Sequence, residues 1–317
     1  MKAVFLDQFS LDQNDLDFSG WAQVFDEIVF FDKTQSDQVL ERVIDADVII
    51  SNKVVIDAEK LKQLPQLKLI LISATGTNNV DLVQAKAQGV VVCNCQAYGT
   101  AAVAQHTIML MLNLATSLMS YDRAVRSGEW NKAAQFCLLD YPIVELSAKT
   151  LGILGFGELG QAVAKLAEAF GMRVIVGNLP GRNAVEGRVD LDTLLKESDF
   201  ISLHCPLTET TRDLIDASAL SKMKSSAFLI NCARGGVVNE QALADALIHQ
   251  KIAGAATDVL SVEPPKQGNV LLNPDIPNLI ITPHSAWGSV EARQRIVQQV
   301  QENAAAFKAG QPIRQVN

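Results

Sequence analysis

Basic residues, aromatics and loop-forming tracts are all scarce in this chain of 317 residues. Lysine and arginine number 27 against 35 aspartates and glutamates, which gives a formal net charge of −8. This balance argues against a nucleic-acid binder, because phosphate contacts need a basic face. With 48% hydrophobic and 20% charged residues and no Pro- or Gly-rich tract, the composition is typical of a soluble globular protein.

Long apolar segments are missing as well. The longest run, Thr107–Met119, is interrupted by Asn113, Thr116 and Ser117, whereas a membrane-spanning helix needs about 20 apolar residues. The start, MKAVFLDQF, contains an acidic residue and does not resemble a signal peptide. We therefore expect a cytoplasmic protein without a membrane partner, in which Thr107–Met119 is a buried or subunit-interface helix.

Cysteines are few, and their spacing does not indicate a metal site. An odd, sparse set is typical of reduced thiols in a cytosolic protein. The pair Cys93 and Cys95 lacks the second pair of ligands that zinc requires. Alternate residues of a strand also point to opposite faces, so joint ligation would be awkward. No metal is expected. The five cysteines are Cys93, Cys95, Cys137, Cys205 and Cys232.

Short apolar runs alternate with helical segments along the whole chain, which predicts parallel α/β sheets. The length suits two domains. A long helix is predicted from Ala101 to about Met119, followed by a loop-rich stretch over 127–148 and a terminal helix over 289–308. The predicted strands are Ala3–Leu6, Glu27–Phe30, Asp47–Ile50, Lys68–Leu71, Val90–Val92, Leu151–Leu154, Arg173–Val176, Phe200–His204, Ala227–Asn231, Gly254–Thr257 and Leu279–Thr282.

The segment LGILGFGELG places Gly155, Gly157 and Gly160 in G-x-G-x-x-G spacing, between an apolar strand and an alanine-rich helix. The first glycine permits the tight turn, the second lets the backbone approach a pyrophosphate, and the third allows helix and strand to pack closely. The following helix presents free N–H groups to the anion. This context predicts a dinucleotide site over a purely structural turn.

The residue after the second strand of this unit normally selects the cofactor, through an acidic side chain on the ribose hydroxyls. In GMRVIVGNLPGR that place falls on Asn178, which does not repel a 2′-phosphate, and Arg182 is close enough to pair with one. The sequence is compatible with either NAD or NADP as the cofactor, and it slightly favours NADP or the use of both. An interpretation of Arg182 as a solvated turn residue explains it nearly as well as pairing with a 2′-phosphate.

Three polar residues follow strands of the second half and match the needs of 2-oxo acid reduction. Arg234, in NCARGG, suits bidentate carboxylate binding. His284, in TPHSAW, can give or take a proton near neutral pH. Glu263, in DVLSVEPP, would stabilise the charged imidazole and fix its tautomer. Each also has a structural interpretation, as a turn cap, a core histidine or a solvated loop acid.

The ordered set GFGELG, NCARGG, DVLSVEPP and TPHSAWGS resembles the D-isomer-specific 2-hydroxyacid dehydrogenase family over nearly the whole chain. Other segments agree: SATGTNNVD, VCNCQAYGTAAVAQHT and LHCPLTETTRDLI. The motif YGT-x-x-VAQHT and the tryptophan of PHSAW are similar to those of the glycerate dehydrogenase (hydroxypyruvate reductase) branch.

The resemblance implies a role for individual residues. Arg234, Glu263 and His284 would be catalytic, with Arg234 and His284 also touching the substrate. Asn52 and the backbone of Thr75, Gly76 and Thr77 would bind the substrate, and Asp258 would hold the nicotinamide carboxamide. The remaining cofactor-binding residues would be Gly155, Gly157, Glu158, Leu159, Gly160, Asn178, Arg182, His204, Pro206, Thr211, Cys232 and Ala233.

The resemblance also implies two Rossmann-like, doubly wound parallel-sheet domains with a cleft between them, and a homodimer. Residues 1–98 and 286–317 would form a flavodoxin-like substrate domain, and residues 99–285 the NAD(P)-binding domain. The implied reaction transfers a hydride between NAD(P)H and a small 2-oxo acid, with hydroxypyruvate and D-glycerate as the expected pair. Glyoxylate or another D-2-hydroxy acid stays open, and a nucleotide-sensing scaffold like the corepressors of this fold is a distant alternative.

Overall fold

The chain forms two compact units. The structure is a computed structural model that describes residues 1–317. Unit 1 combines Met1–Gly99 with Gly288–Asn317, and unit 2 is Thr100–Trp287. Unit 1 is therefore built from both ends of the chain, whereas unit 2 is one continuous segment.

Unit 1 contains a five-stranded parallel sheet in the order β2-β1-β3-β4-β5. This is the flavodoxin-like order of a doubly wound sheet. The central strands β3 and β4 have the sequences VIIS and LILI and are buried throughout, as parallel strands covered on both faces should be. The strands are β1 (Lys2–Phe5), β2 (Glu27–Phe30), β3 (Val48–Ser51), β4 (Leu69–Ile72) and β5 (Val91–Cys93).

Short helices and one long helix surround this sheet. Asp57 and Asp81 cap α2 and α3 by accepting hydrogen bonds from backbone N–H groups of the first turn. The long helix α10 packs through Arg293, whose guanidinium donates to both carboxylate oxygens of Asp15, at 2.7 and 2.6 Å. The helices are α1 (Val39–Val43), α2 (Ala58–Lys62), α3 (Leu82–Ala87) and α10 (Val290–Lys308).

Unit 2 contains a six-stranded parallel sheet in the order β11-β10-β9-β8-β6-β7. The chain first crosses from β6 to β7 and then places β8 on the other side of β6. In such sheets ligands bind where the strand order reverses, at the carboxyl ends of the strands. The strands are β6 (Thr150–Leu154), β7 (Arg173–Gly177), β8 (Phe200–Leu203), β9 (Phe228–Asn231), β10 (Gly254–Thr257) and β11 (Leu279–Ile281).

An apolar cluster covers each face of this sheet, because successive residues of a strand alternate between the faces. In β9, Leu229 belongs to one cluster while Phe228 and Ile230 belong to the other. Six helices flank the sheet: α4 (Thr100–Thr116), α5 (Leu118–Arg126), α6 (Glu158–Ala169), α7 (Leu191–Glu197), α8 (Ala217–Lys222) and α9 (Glu240–Ile248). The prediction of two α/β units, each with a parallel sheet, is thus confirmed.

The predicted single helix from Ala101 to Met119 is wrong. The helix breaks at Ser117, which adopts a left-handed conformation with φ of 51°. Its hydroxyl donates a hydrogen bond outside the helix, to the carbonyl of Pro142 at 2.7 Å. The chain then turns by 60° and continues as α5.

No single helix is long and apolar enough to cross a membrane. The bent pair α4 and α5 passes that test only when the two helices are counted together. Within unit 2, α4 contributes Val103, Ile108, Met111 and Leu114 to the apolar cluster that also contains Val163 of α6. Its hydrophobic residues are therefore largely engaged in the core.

Candidate active site

The turn after β6 leaves no room for side chains at two of its three glycines. Gly155 has φ of 95°, and a Cβ added there would lie 2.5 Å from the carbonyl carbon of His204. A Cβ on Gly160 would lie 2.2 Å from the carbonyl oxygen of Gly155. Glycine at these two positions therefore allows helix α6 and the loop after β8 to lie close to the turn.

The middle glycine faces open space instead. Gly157 is the N-cap of α6, and no heavy atom lies within 4 Å of a Cβ added there. The first turn of α6, which contains Glu158, Leu159 and Gly160, presents N–H groups without helical partners at this place. A phosphate can therefore approach the backbone, and the residues present fit a dinucleotide.

His204 follows β8 and lies beside this turn. Its backbone N–H donates to the carbonyl of Leu154 at 2.7 Å, and its Nε2 lies 2.8 Å from the hydroxyl of Ser202. Burial lowers the pKa of His204 to about 4, so the ring is neutral at physiological pH. Its Nδ1 is buried without a protein partner, which is a second feature that fits a polar ligand here.

Asn178 directly follows β7, at the place where many dinucleotide sites carry an acid. Its Oδ1 accepts a hydrogen bond from the backbone N–H of Val185 at 3.0 Å, and its own N–H donates to Val189 at 2.8 Å. The carboxamide thus closes the loop over 178–189. In the same loop Arg182 is exposed, and the guanidinium of Arg188 lies 6.0 Å from the ring centroid of Phe156.

The loop over 206–211 is held by a threonine. The hydroxyl of Thr211 donates to the carbonyl of Pro206 at 2.7 Å, and it accepts from the backbone N–H of Thr208 at 2.8 Å. Thr211 is buried, so its contribution to a ligand would come through the shape of the loop.

Asn231 shapes the turn that presents Arg234. It ends β9, accepts from the N–H of Ala233 at 3.0 Å and donates to the carbonyl of Arg234 at 3.1 Å. The guanidinium of Arg234 is exposed and pairs with no carboxylate, its one contact being the carbonyl of Ala233 at 2.8 Å. It is therefore available for an anionic ligand. The neighbouring Cys232 is buried, and burial raises the pKa of its thiol to about 12.

Glu263 and His284 are in direct contact. Oε2 of Glu263 lies 2.5 Å from Nδ1 of His284, and its Oε1 accepts from the backbone N–H of Leu260 at 2.7 Å. Because a carboxylate only accepts, Nδ1 is assigned the proton and Nε2 is left for proton exchange. Both side chains are about one third exposed, at 33% and 38%.

The loop that carries Glu263 is fixed from a second side by Glu240. One oxygen of Glu240 accepts from the backbone N–H of Ser261, and the other accepts from the Ser261 hydroxyl, both at 2.7 Å. Asn269 also donates to Glu240, at 2.8 Å. Since Glu240 lies in the first turn of α9, the helix anchors both ends of this loop.

In unit 1, a buried carboxylate holds the backbone at Asn52. Oδ1 of Asp7 accepts from the N–H of Asn52 at 2.9 Å, and its Oδ2 accepts from the N–H of Lys53 at 2.7 Å. Burial raises the pKa of Asp7, and these backbone hydrogen bonds oppose that shift. The arrangement fixes the start of the loop after β3.

The segment Thr75–Gly76–Thr77 follows β4 and offers a different feature. None of its three backbone N–H groups donates a hydrogen bond within the protein. Its position is set by Asn94, whose side chain donates to the carbonyl of Thr75 at 2.8 Å. Free N–H groups in succession can bind an anion.

Sequence reasoning overlooked Asp7, Asn231 and Glu240, which orient the loops rather than line them. Their signal was their position, since Asp7 lies just after a buried strand, Asn231 ends one, and Glu240 opens a helix. What they bind could not be read from the sequence, because their partners are backbone groups of distant loops.

The chain matches a known family in several comparisons. Residues 108–286 match the model of the family described as "D-isomer specific 2-hydroxyacid dehydrogenase, NAD binding domain". The chain is 46% identical to a glycerate dehydrogenase of Methylorubrum extorquens, over 98% of this chain and 97% of that protein. It is 37% identical to a hydroxypyruvate reductase of Blautia hydrogenotrophica, over the full length of both. It is 38% identical to a glyoxylate reductase of Korarchaeum cryptofilum, over 86% of this chain and 83% of that one.

Solved structures agree. An acyclic imino acid reductase in complex with NADPH and D-Arg superposes with a TM-score of 0.85, at 30% identity and full coverage of both chains. A D-2-hydroxyisocaproate dehydrogenase superposes with a TM-score of 0.85 at 26% identity, over 100% of this chain and 99% of that one.

Proposed function

This chain belongs to the D-isomer-specific 2-hydroxyacid dehydrogenase family, and from that premise we propose that it interconverts hydroxypyruvate and D-glycerate. It is a nicotinamide-dependent oxidoreductase that acts on the CH–OH group of 2-hydroxy acids. The observation that carries the proposal is the contact between Glu263 and His284 in the same unit as the unpaired Arg234.

Arg234 binds the substrate and His284 exchanges the proton. The guanidinium pairs with the carboxylate and polarises the neighbouring carbonyl. When bound, the cofactor supplies the hydride for reduction or takes it up for oxidation. The Nε2–H of a protonated His284 then delivers a proton to the carbonyl oxygen, and Glu263 stabilises the imidazolium that makes this possible. In the oxidative direction the neutral Nε2 takes the hydroxyl proton.

Asn52 and the Thr75–Thr77 segment are proposed to bind the substrate as well. The three free N–H groups of Thr75–Thr77 suit a carboxylate, and the Asn52 side chain suits the hydroxyl that distinguishes hydroxypyruvate from pyruvate. Asp7 and Asn94 would keep both segments in place through their contacts with the backbone.

The cofactor is proposed to bind along the carboxyl edge of the unit 2 sheet. The glycine turn and Glu158–Gly160 would take the pyrophosphate, and His204, Pro206, Thr211, Cys232 and Ala233 would line the remainder. Asp258 would hold the carboxamide through a remaining acceptor position, because its carboxylate accepts three hydrogen bonds out of about four.

Use of both NAD and NADP, with a preference for NADP, is supported by the loop over 178–189. The residue directly after β7 is Asn178, which carries no charge to repel a 2′-phosphate, and its acceptor oxygen is already engaged by Val185. Arg182 is exposed and free of ion pairs, and Arg188 lies near Phe156 beside the glycine turn. These two cations could pair with the additional phosphate.

Glyoxylate is the second candidate substrate. A relative named as a glyoxylate reductase is 38% identical to this chain. Glyoxylate has the same carboxylate and carbonyl that Arg234 and His284 would bind, and it lacks only the hydroxymethyl group. The ratio of kcat/KM for hydroxypyruvate to that for glyoxylate shows which acid is the preferred substrate.

A homodimer is proposed through α4 and α6. Together these helices line an apolar groove that includes Ile108, Met109, Leu112 and Leu166. Met109 and Leu166 are exposed at 37% and 38%, and a second copy of this chain would cover them. Light scattering should give twice the mass of the 34.3 kDa chain, and Leu166→Glu should reduce it to one copy. We further propose a cytoplasmic location, given the sparse and unpaired cysteines.

The test of the function is the loss of absorbance of NADH and NADPH, measured separately with hydroxypyruvate, glyoxylate and pyruvate. Rapid oxidation with hydroxypyruvate is expected, and no turnover with any of the three would refute the proposal. His284→Ala should abolish turnover while reduced cofactor still binds. His249→Ala is the matched control, since His249 lies exposed at the end of α9.

A further inference from the structure

Asp258 is a buried carboxylate that binds the turn carrying His284. It is 2% exposed and follows β10. Oδ1 accepts from the hydroxyl of Thr282 at 2.5 Å and from the N–H of Ser285 at 2.9 Å, and Oδ2 accepts from the N–H of Ala286 at 3.0 Å. Its carbonyl accepts from the N–H of His284 at 2.8 Å. Four hydrogen bonds thus connect this one residue to the turn.

The turn needs such support because His284 is strained. Its φ of 54° lies in the left-handed region, which is unfavourable for a residue with a side chain. Relaxation to negative φ would carry the ring away from Glu263. The bonds to Asp258 therefore decide whether Nε2 of His284 stays where a substrate oxygen can reach it.

His106 is the outermost member of this network. It lies on α4, with its Nε2 3.0 Å from Thr282 Oγ1 and 3.7 Å from Asp258 Oδ1. An ionised Asp258 only accepts, so the single hydroxyl proton of Thr282 is directed to it. The Thr282 oxygen then accepts from His106, which assigns the proton of His106 to Nε2. No other contact orients this hydroxyl.

We propose that His106 is a positioning residue for the reaction: through Thr282 and Asp258 it holds the turn that places His284. It touches neither substrate nor cofactor in this scheme. The proposal rests on the assignment of His284 as the acid/base, and it adds a residue that lies on helix α4, whereas the other groups follow strands of the sheet.

Matched pairs of variants separate hydrogen bonding from packing. Thr282→Val removes the hydroxyl at nearly constant shape, whereas Thr282→Ser keeps it. His106→Leu removes the donor, whereas His106→Gln can keep an N–H near the place of Nε2. Because a hydrogen bond to a charged group contributes more than a neutral one, we expect kcat to fall about tenfold in Thr282→Val and about fivefold in His106→Leu.

The two conservative variants should stay within about twofold of the wild-type kcat. The KM for hydroxypyruvate should change less than about twofold in all four, since none of them touches Arg234. The double variant His106→Leu/Thr282→Val should resemble Thr282→Val alone, because both changes interrupt the same chain of bonds. Equal losses in His106→Leu and His106→Gln would show that packing alone matters and would overturn the proposal.

A readout independent of turnover keeps this test separate from the proposed function. The chain has only four histidines, so the ring signals of His106, His204, His249 and His284 can be assigned by NMR through single substitutions. The His284 signal should move in Thr282→Val and His106→Leu and stay in place in the conservative variants. An unmoved signal in all variants refutes the positioning role, even if the wild type reduces none of the three acids.

Discussion

The ring of His204 should make the free energy of unfolding depend on pH by an amount that can be calculated. A free histidine has a pKa near 6.5, and burial lowers that of His204 to about 4. Between these two values the unfolded chain binds a proton that the folded chain refuses, so stability falls as the pH falls through this window. Linkage gives a loss of about 2 kcal/mol between pH 7.5 and pH 5, and about 3 kcal/mol once the pH is below 4.

The assay compares urea denaturation of wild type and His204→Gln at both pH values, in the absence of cofactor. Glutamine cannot take up the proton, and its amide can still reach the hydroxyl of Ser202. The wild type should therefore lose about 2 kcal/mol more than the variant on acidification. His249→Gln is the control and should follow the wild type, because His249 is exposed.

NMR titration of the His204 ring checks the same reasoning directly. Its signal should stay constant from pH 8 to about 5 and move only near pH 4. A midpoint close to 6.5, or an equal loss of stability in wild type and His204→Gln, would refute the account. Either result would mean that water reaches the ring, and the unpaired Nδ1 would then no longer point to a ligand.

The remaining predictions concern the charged groups. Arg234→Lys should lower kcat/KM for hydroxypyruvate about 10- to 100-fold in steady-state assays, because an ammonium cannot form the bidentate pair, and an unchanged value would remove Arg234 from the substrate site. Glu263→Gln should shift the alkaline limb of the pH–rate profile for hydroxypyruvate reduction to lower pH, since the imidazolium of His284 loses its partner charge, and a profile that does not move would leave Glu263 structural. Asp7→Asn should cost about 1–3 kcal/mol in urea denaturation because an amide donor would face the N–H of Lys53, and equal stability would contradict the hydrogen-bond geometry.

The α/β architecture could be predicted because strand signals were strong. The limits of β2 (Glu27–Phe30) and β10 (Gly254–Thr257) agree with the prediction to the residue, and an aspartate adjoins each strand at one end. Helices α3, α7 and α8, which have six or seven residues, were not predicted. Each begins after an aspartate that caps its first turn, and that signal was present in the sequence.

The break between α4 and α5 had no such signal. No glycine or proline adjoins Ser117, and the hydroxyl of Ser117 donates to the carbonyl of Pro142, 25 residues further along the chain. The same limit applied to the site. The motifs gave the candidate residues Arg234, Glu263 and His284, while the link from His106 through Thr282 depends on how a helix packs against a distant turn.

The composition of unit 1 from both ends of the chain has a consequence for protein synthesis. Trp21 donates to the carbonyl of Val297 at 2.9 Å, and Arg293 binds Asp15, so the early segment lacks these partners until the ribosome has made the last helix. Unit 2, which is continuous, can fold while the chain is still growing. Strand β4 of unit 1, which contacts α10 in the folded protein, is entirely apolar and stays uncovered until that helix has been made, so we expect a nascent chain to benefit from chaperones at this stage.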